Sequence, residues 1–233
     1  MALAFVTGGS RGLGLATSRE LNKRGFKLVL FARNLELLKK VSEELQAPYE
    51  VVNLENINET REVFAQALEK YGTPDILMLA HGVMSEKMSK TLKTNDSEWS
   101  RVLNINLNSV FTIINTIGSK MADSRNGRII VYSACLGRMS GPGNTGGLAP
   151  YRISKAGVNA LVRNLAHETG LGSRGILVDA ICPNHSRTDM GGPDAPRSAE
   201  EGAETAVWLA TREYLPGVTK TGLLWEDHEI VEW

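Results

Sequence analysis

The stretch Thr7–Gly14, with the sequence TGGSRGLG, decides the fold of this chain. It follows the short apolar run 2–7 and precedes a helical repeat of apolar residues that ends at Gly25. Closely spaced glycines allow a tight strand-to-helix turn and let the backbone approach a pyrophosphate, which the N–H groups of the helix N-terminus then bind. The strand before the glycines and the helix after them are the context that this motif requires. The stretch therefore predicts a dinucleotide-binding turn at the start of a βα unit.

Beyond this turn, short apolar runs alternate with longer stretches of helical periodicity. The apolar runs predict strands at residues 27–32, 49–53, 75–80, 128–133, 176–182 and 222–224. The periodic stretches predict helices that begin at Asn34, Asn58, Asn95 or Asp96, Tyr151 and Ser198. Apolar strands separated by helices are typical of a parallel sheet that is covered on both faces. The sequence thus predicts the α/β class, a doubly wound parallel sheet of Rossmann type with helices on both faces, in a single domain over residues 1–233.

The composition of the chain excludes several classes of protein. Lysine and arginine together number 26, as do aspartate and glutamate, so the net charge is 0. A basic surface for nucleic acid or for an anionic membrane is therefore not expected. No apolar run approaches the roughly 20 residues that cross a bilayer, and the N-terminus lacks the basic start of a signal peptide. The two cysteines form no CxxC motif, so we expect a cytoplasmic protein with no disulfide scaffold and no metal site.

The end of the second predicted strand indicates which dinucleotide binds. An NAD site would place a carboxylate there to hold the ribose, but the strand ends in Phe31-Ala32-Arg33-Asn34, without an acid. Arg33 and Arg11 are placed to clamp a 2′-phosphate, because guanidinium groups make strong charge-assisted bonds to phosphate. The sequence therefore favours NADP(H) over NAD(H), the alternative being that both arginines are ordinary solvated surface residues.

A tyrosine and a lysine open the long predicted helix that begins at Tyr151. Tyr151 and Lys155 are four residues apart and share one face of that helix. A tyrosine has an unperturbed pKa of about 10, so it needs help to exchange a proton near neutral pH. A neighbouring cation stabilises tyrosinate and supplies that help.

The glycine-rich turn and the pair Tyr151/Lys155, in this order and on these elements, resemble the short-chain dehydrogenase/reductases. The resemblance extends from Ala2 to about Leu224. It implies that Tyr151 is the general acid/base for hydride transfer between a nicotinamide and a carbonyl or alcohol. It also implies that Lys155 binds the nicotinamide ribose and tunes the tyrosine, and that Asn106 holds a proton-relay water. Family analogy suggests a homodimer or homotetramer.

The cofactor contacts of the family carry over to this chain one residue at a time. Pro183 and Thr188 match the segment that holds the nicotinamide carboxamide, and residues 188–197 resemble the substrate lid of the family. The full set of expected cofactor contacts is Gly8, Ser10, Arg11, Gly12, Leu13, Gly14, Arg33, Asn34, Asn53, Leu54, Ala80, His81, Gly82, Tyr151, Lys155, Pro183, Ser186 and Thr188.

Several positions depart from the family pattern. Asn53 replaces an aspartate that holds the adenine amino group, although its amide oxygen can still accept from that group. The fourth strand ends in Leu79-Ala80-His81-Gly82 instead of Asn-Asn-Ala-Gly, so Ala80 cannot make side-chain bonds, and His81 either faces the cofactor or fills space. Asp179 stands where asparagine is usual, and Asn184 replaces a glycine.

The catalytic serine of the family shows the largest departure. It stands three residues before a glycine, and counting back from Gly137 gives Ala134, whereas Ser133 lies one position earlier. Because successive side chains of a strand point to opposite faces, two alternatives follow. Either the strand end is rearranged and Ser133 is catalytic, bonding the substrate carbonyl, or that hydrogen-bond donor is missing. The neighbouring Cys135 is expected to be a buried, inert thiol.

Together these features predict an NADP(H)-dependent oxidoreductase that acts on a small to medium ketone, aldehyde or alcohol. The stretch from Ser133 to Tyr151 is longer than in most of the family, and its glycine-rich insertion at Gly141–Gly147 is expected to line the substrate pocket. The alternative is a catalytically impaired NADP(H)-binding sensor or regulatory protein on the same fold. The departures at Ala134 and at the end of the fourth strand motivate that alternative.

Overall fold

One eight-stranded sheet forms the centre of the described part of the chain. The computed structural model describes residues 2–86, 89–143 and 145–233, and in them eight strands pair in the order β3-β2-β1-β4-β5-β6-β7-β8. All neighbouring strands are parallel except β7 and β8, which are antiparallel. The strands are β1 Leu3–Thr7, β2 Lys27–Ala32, β3 Tyr49–Val51, β4 Ile76–Leu79, β5 Gly127–Tyr132, β6 Ile176–Ile181, β7 Leu224–Glu226 and β8 Glu229–Val231.

Helices cover both faces of this sheet. Along β1 the side chain of Phe5 enters one buried cluster, while Ala4 and Val6 enter the other, as the pleat of a strand requires. The prediction of a doubly wound α/β sheet is thus confirmed. None of the helices in the described part of the chain is long and apolar enough to cross a membrane. The helices are α1 Gly12–Lys23, α2 Leu35–Leu45, α3 Ile57–Tyr71, α4 Asp96–Leu103, α5 Ser109–Ser124, α6 Ala149–Glu168 and α7 Ala199–Thr211.

Polar side chains start most of these helices. Asn34 caps α2 by accepting from the Leu37 N–H, and Ser198 forms a reciprocal capping box with Glu201 at the start of α7. The prediction that Asn58 caps α3 is wrong, because the side chain of Asn56 accepts from the Glu59 N–H and the helix begins two residues earlier. A stretch with several asparagines offers several possible caps, and periodicity alone does not choose between them.

The C-terminal hairpin was only partly predicted. The expected strand at 222–224 is found at Leu224–Glu226, and β8 returns beside it after a two-residue turn. Both turn residues, Asp227 and His228, have positive φ, as the common two-residue hairpin turns require. The sequence lacks the Asn-Gly or Asp-Gly pair that usually marks such a turn. The hairpin is tied to β6 because Asp179 accepts from the Trp225 indole at 2.9 Å.

Candidate active site

The glycine-rich turn leaves the start of α1 open for an anion. Gly8 has φ +67° and donates its N–H to the Phe31 carbonyl at 2.8 Å. A methyl group on Gly14 would lie 2.2 Å from the Gly8 carbonyl oxygen, so only glycine fits there. The N-cap residue Arg11 makes no side-chain capping bond, and the first turn of α1 contains no acid. The first N–H groups of α1 therefore have neither a capping side chain nor a repelling carboxylate, which fits a pyrophosphate.

The two expected phosphate clamps lie in different surroundings. Arg11 forms an ion pair at 2.7 Å with Asp189 of the expected lid, residues 188–197, and the two side chains are 62% and 76% exposed. Arg33 is exposed directly after β2. The side chain of Asn34 is used as the cap of α2, so its oxygen is already bonded. Both arginines are thus at the carboxyl edge of the sheet, and Arg11 also contacts the lid.

The expected adenine side of the site follows β3 and β4. The Asn53 amide oxygen accepts from the Glu55 N–H at 3.2 Å, which leaves one lone pair for another donor. Leu54 is buried. The Ala80 N–H donates to the Thr7 hydroxyl at 3.1 Å, and the Ala80 carbonyl lies 3.0 Å from where a methyl group on Gly8 would stand. This close approach explains why Gly8 carries no side chain.

The residues Tyr151 and Lys155 lie in the first two turns of α6. Tyr151 and Lys155 are 6% and 4% exposed, and the Lys155 ammonium stands 5.9 Å from the centre of the Tyr151 ring. The same ammonium donates to the Tyr132 carbonyl at 2.7 Å. Burial raises the pKa of the Tyr151 hydroxyl, and burial lowers the pKa of Lys155 to about 8. Tyr151 is therefore protonated, and Lys155 mostly charged, at neutral pH.

Asn106 is presented by a break in the helical hydrogen-bond pattern. The helix α4 continues into α5 through a π-helical turn, Asn104–Asn108, and such turns often occur at functional sites. The Asn106 side chain accepts from the Val83 N–H at 2.8 Å and donates to the Val83 carbonyl at 2.9 Å and to the Ser154 hydroxyl at 3.0 Å. A methyl group on Gly82 would lie 3.4 Å from both the Asn106 amide oxygen and the Lys155 ammonium. The structure thus brings Asn106 and Lys155 together at Gly82.

Ser133 is directed into α6. Its buried hydroxyl donates to the Asn159 amide oxygen, and the Lys155 carbonyl is a second acceptor at 3.4 Å. Ala134 follows in extended conformation, with φ −162° and ψ 153°. The hydroxyl of Ser133 is therefore committed to packing β5 against α6. Of the two alternatives left open by the sequence, this geometry favours a missing donor at Ala134.

The two cysteines meet beside Tyr151. Both thiols are free, with Cys182 buried and Cys135 half-buried. Interaction between the two thiols lowers the pKa of Cys135 below its usual value and raises the pKa of Cys182. Cys135 was expected to be a buried, inert thiol. It is instead half-buried, and its pKa is lowered.

The segment after β6 leads into the lid and contacts the glycine-rich turn. Asn184 has φ +57°, which explains why the family has glycine there and why asparagine is accepted. The Ser186 hydroxyl donates to the Pro183 carbonyl at 3.0 Å. A methyl group on Gly12 would lie 3.2 Å from the Thr188 side chain, so the start of the lid touches the glycine-rich turn.

The segment from Arg138 through the insertion contacts both α6 and the C-terminal residues. The Arg152 guanidinium donates to the Gly143 carbonyl at 3.2 Å, which holds the insertion against α6. The Ser140 hydroxyl donates to the carbonyl of Trp233 at 3.3 Å. Arg138 and Glu226 lie 3.9 Å apart. The C-terminal residues therefore contact Arg138 and Ser140, just before the insertion, and the sequence alone did not reveal this contact.

Several supporting residues were missed by the sequence analysis. The Ser85 hydroxyl accepts from the Tyr151 N–H at 2.9 Å, and Ser154 bonds Asn106. His81 was expected near the cofactor, but its two ring nitrogens contact Thr7 and Ser109 inside the protein. Ser154 could have been found from the sequence because it directly precedes Lys155. Ser85, Thr7 and Ser109 could not, because they are distant in the sequence from the residues that they bond. Among the described residues, no group of three or more His, Cys, Asp or Glu side chains is arranged to hold a metal ion.

Comparisons with known proteins identify the family and several relatives of this chain. The family model for short chain dehydrogenases matches residues 2–199. The 3-oxoacyl-(acyl-carrier-protein) reductase FabG of Rickettsia prowazekii (strain Madrid E) is 33% identical over 189 residues, which is 80% of this chain and 73% of that protein. The enzyme of the same name from Escherichia coli K12 is 33% identical over 190 residues, covering 81% of this chain and 75% of that protein.

Solved structures show the same relationship. A structure of the actinorhodin polyketide ketoreductase with NADPH matches with a TM-score of 0.81 and 25% identity, over 96% of this chain and 94% of the other. A blue fluorescent protein from a metagenomic library, in complex with NADPH, matches with a TM-score of 0.81 and 26% identity, over the same shares of 96% and 94%. The chain belongs to the short-chain dehydrogenase family of oxidoreductases.

Proposed function

We propose that this chain is an NADP(H)-dependent reductase of ketones or aldehydes that also oxidises the corresponding alcohols. The observation that carries the proposal is the buried convergence of Tyr151, Lys155 and Asn106 beside an open helix N-terminus. The names of the relatives, which are 3-oxoacyl and polyketide reductases, support a carbonyl substrate.

Tyr151, Lys155 and Asn106 each have a separate role in the proposed reaction. Bound NADPH would supply a hydride to the carbonyl carbon. Tyr151 donates a proton to the carbonyl oxygen, and burial keeps its hydroxyl protonated until that step. The Lys155 ammonium stabilises the resulting tyrosinate, because an opposite charge nearby favours the ionised form. Asn106 holds the water through which a proton returns to Tyr151, close to Lys155.

The cofactor would be held by groups that the fold already places at one edge of the sheet. The N-terminus of α1 would bind the pyrophosphate, and Arg11 and Arg33 the 2′-phosphate. Lys155 would hold the nicotinamide ribose, and Pro183 with Thr188 the carboxamide. The two neighbours solved with NADPH support the choice of the phosphorylated dinucleotide.

A second candidate function rests on Ala134. Because the Ser133 hydroxyl donates its hydrogen bond to Asn159, the end of β5 has no hydroxyl donor left for the substrate. A protein with the cofactor site but without useful turnover would act as an NADP(H)-binding sensor. The retained Tyr151 and Asn106 favour the enzyme, since a sensor that only binds the cofactor needs neither a proton donor nor a relay water.

The test combines cofactor binding with turnover. Fluorescence titration should show tighter binding of NADPH than of NADH, and Arg33→Ala should weaken NADPH binding far more than NADH binding. With a panel of ketones and aldehydes, Tyr151→Phe should lower kcat by about 10²–10⁴-fold. Turnover that survives Tyr151→Phe would contradict the proposed chemistry, and binding without any turnover would favour the sensor.

A further inference from the structure

His81 connects the nucleotide-binding strands to the helix that carries Asn106. It stands two residues after the end of β4 and is buried. Its Nδ1 lies 2.6 Å from the Thr7 hydroxyl oxygen, at the end of β1, and its Nε2 lies 2.8 Å from the Ser109 hydroxyl oxygen, at the start of α5. Both ring nitrogens are thus used inside the protein, and neither is left for a cofactor.

The neighbouring bonds fix where the ring carries its proton. The Ser109 hydroxyl donates to the Ile105 carbonyl at 2.7 Å, so it must accept from His81 Nε2–H. Nδ1 then has a lone pair and accepts from the Thr7 hydroxyl, whose alternative acceptor, the Met78 carbonyl, is farther away at 3.4 Å. The imidazole is therefore neutral and in the Nε2–H form. Burial, with the nearby Lys155 charge, agrees by lowering the pKa of His81 to about 3.

This chain of hydrogen bonds ends in the π-helical turn Asn104–Asn108. Ile105 is the residue before Asn106, and Val83, two residues after His81, bonds the Asn106 amide through both its N–H and its carbonyl. The segment 81–83 is thus fastened to the π-helical turn at both ends. Its middle residue, Gly82, is the one that approaches both Asn106 and Lys155.

We infer that His81 is a positioning residue of the active site, acting through Ser109 and the π-helical turn to hold Asn106 and Lys155 in register with Tyr151. The inference rests on the proposed function. Ala80, which precedes His81, has no side-chain donor or acceptor of its own, so the imidazole supplies the link from the sheet to α5. A residue that merely filled this space would need neither bond.

Two substitutions separate the two bonds of the ring. In His81→Gln the amide nitrogen can take the place of Nε2, so the hydrogen bond to Ser109 is kept. In His81→Asn the amide oxygen takes the place of Nδ1, so only the hydrogen bond to Thr7 is kept. His81→Asn should lower kcat about 10-fold or more with little change in the KM for the carbonyl, and His81→Gln should restore most of that loss. Each variant lacks one hydrogen bond of the ring, so the midpoints of urea unfolding of the two variants should shift by similar amounts. Equal kcat values, or a higher kcat in His81→Asn, would overturn the inference.

A second variant tests the link without touching the ring. Ser109→Ala should lower kcat as His81→Asn does. Thr116→Val is the matched control, because Thr116 also bonds the carbonyl four residues earlier on α5 but lies two turns farther along the helix. An unchanged kcat in Ser109→Ala would overturn the positioning role.

A spectroscopic measurement is independent of turnover. The ¹⁵N resonances of the His81 ring should show the neutral Nε2–H tautomer from pH 7 down to pH 5, and an Nδ1–H tautomer or a charged ring would contradict the inferred chain of bonds. If Tyr151→Phe kept full activity, the proposed function would fail while this measurement still reported on His81. If Tyr151→Phe abolished turnover and the Gln and Asn variants were equal, only the present inference would fail.

Discussion

At the scale of single residues, Ala134 stands where the family resemblance places the catalytic serine, so the proposed reaction lacks one hydrogen-bond donor. The extended backbone of Ala134, φ −162° and ψ 153°, accepts serine without strain. Because the loss of one such donor slows enzymes by about 10²–10³-fold, Ala134→Ser should raise kcat about 10-fold or more. The measurement is kcat for a ketone at saturating NADPH. The gain should vanish in the double variant Ala134→Ser/Tyr151→Phe, and the absence of any gain would mean that another group already bonds the carbonyl.

The charge of Lys155 predicts how activity depends on pH. Burial lowers its pKa to about 8, whereas burial raises that of Tyr151 above its ordinary value, so Lys155 loses its proton first as pH rises. The cation that stabilises tyrosinate is then lost. We expect kcat/KM to be level from pH 6.5 to about 7.5 and to fall roughly tenfold per pH unit above about 8, as for one essential proton. A level profile up to pH 10 would exclude this role for Lys155.

The sequence identified some residues of the site and not others for a physical reason. Tyr151 and Lys155 lie four residues apart on one helix, so their proximity follows from local geometry. The placement of Ser133 depends on Asn159, and that of His81 on Thr7 and Ser109, which are 26, 74 and 28 residues away. No local pattern encodes such partners. Hence the sequence left two alternatives for Ser133 and two for His81.

At the scale of elements, the turn Cys135–Gly137 must pack closely on α6 to keep Lys155 in place. A methyl group on Gly137 would lie 2.7 Å from the carbonyl carbon and from Cβ of Lys155. Gly137→Ala should therefore lower the free energy of unfolding by about 1–3 kcal/mol, and it should also lower kcat.

Urea unfolding and steady-state kinetics check this prediction. Gly146→Ala is the control, because Gly146 belongs to the same connection between β5 and α6 but has nothing within 4 Å of an added methyl group. Equal stability and activity of the two variants would show that the turn adapts without moving Lys155.

Element types followed from periodicity, while element ends required tertiary contacts. The strand β2 is found at Lys27–Ala32, the range that its apolar run predicted. The long helix 95–122 is interrupted by the π-helical turn, which no spacing of apolar residues indicates. The helix α6 begins at Ala149 and not at the predicted Tyr151. Pro150 lies in its first turn, and the Tyr151 N–H donates to the Ser85 hydroxyl.

At the scale of the whole molecule, the parallel sheet brings segments from distant parts of the chain to one edge. The glycine-rich turn after β1, His81 after β4, Ser133 after β5 and Pro183 after β6 all follow carboxyl ends of strands. Ligands of such sheets bind at this edge. The order of strands and helices was therefore sufficient to predict the location of the site, although not the bonds inside it.

The buried imidazole of His81 makes the stability of the whole protein depend on pH. Its pKa is about 3 when folded and near 6.5 when unfolded. The unfolded chain thus binds a proton that the folded protein excludes, and His81 stabilises the fold fully above pH 6.5 and progressively less as pH falls toward 3. Other groups titrate in the same range, notably Asp179, whose pKa burial raises to about 6 and whose effect has the opposite sign. These contributions cancel when wild type is compared with His81→Gln.

The difference in unfolding free energy between the two proteins should therefore change by about 1.4 kcal/mol per pH unit below pH 6.5, to the disadvantage of wild type. Urea unfolding at pH 7, 6 and 5 measures it, with Ser109→Ala as a control that keeps the histidine and should follow the wild-type slope. A difference that stays constant over this range would mean that His81 accepts a proton inside the folded protein. The donors and acceptors along the hydrogen-bond chain from Thr7 to Ile105 would then differ from those inferred here, and the positioning role of His81 would lose its physical basis.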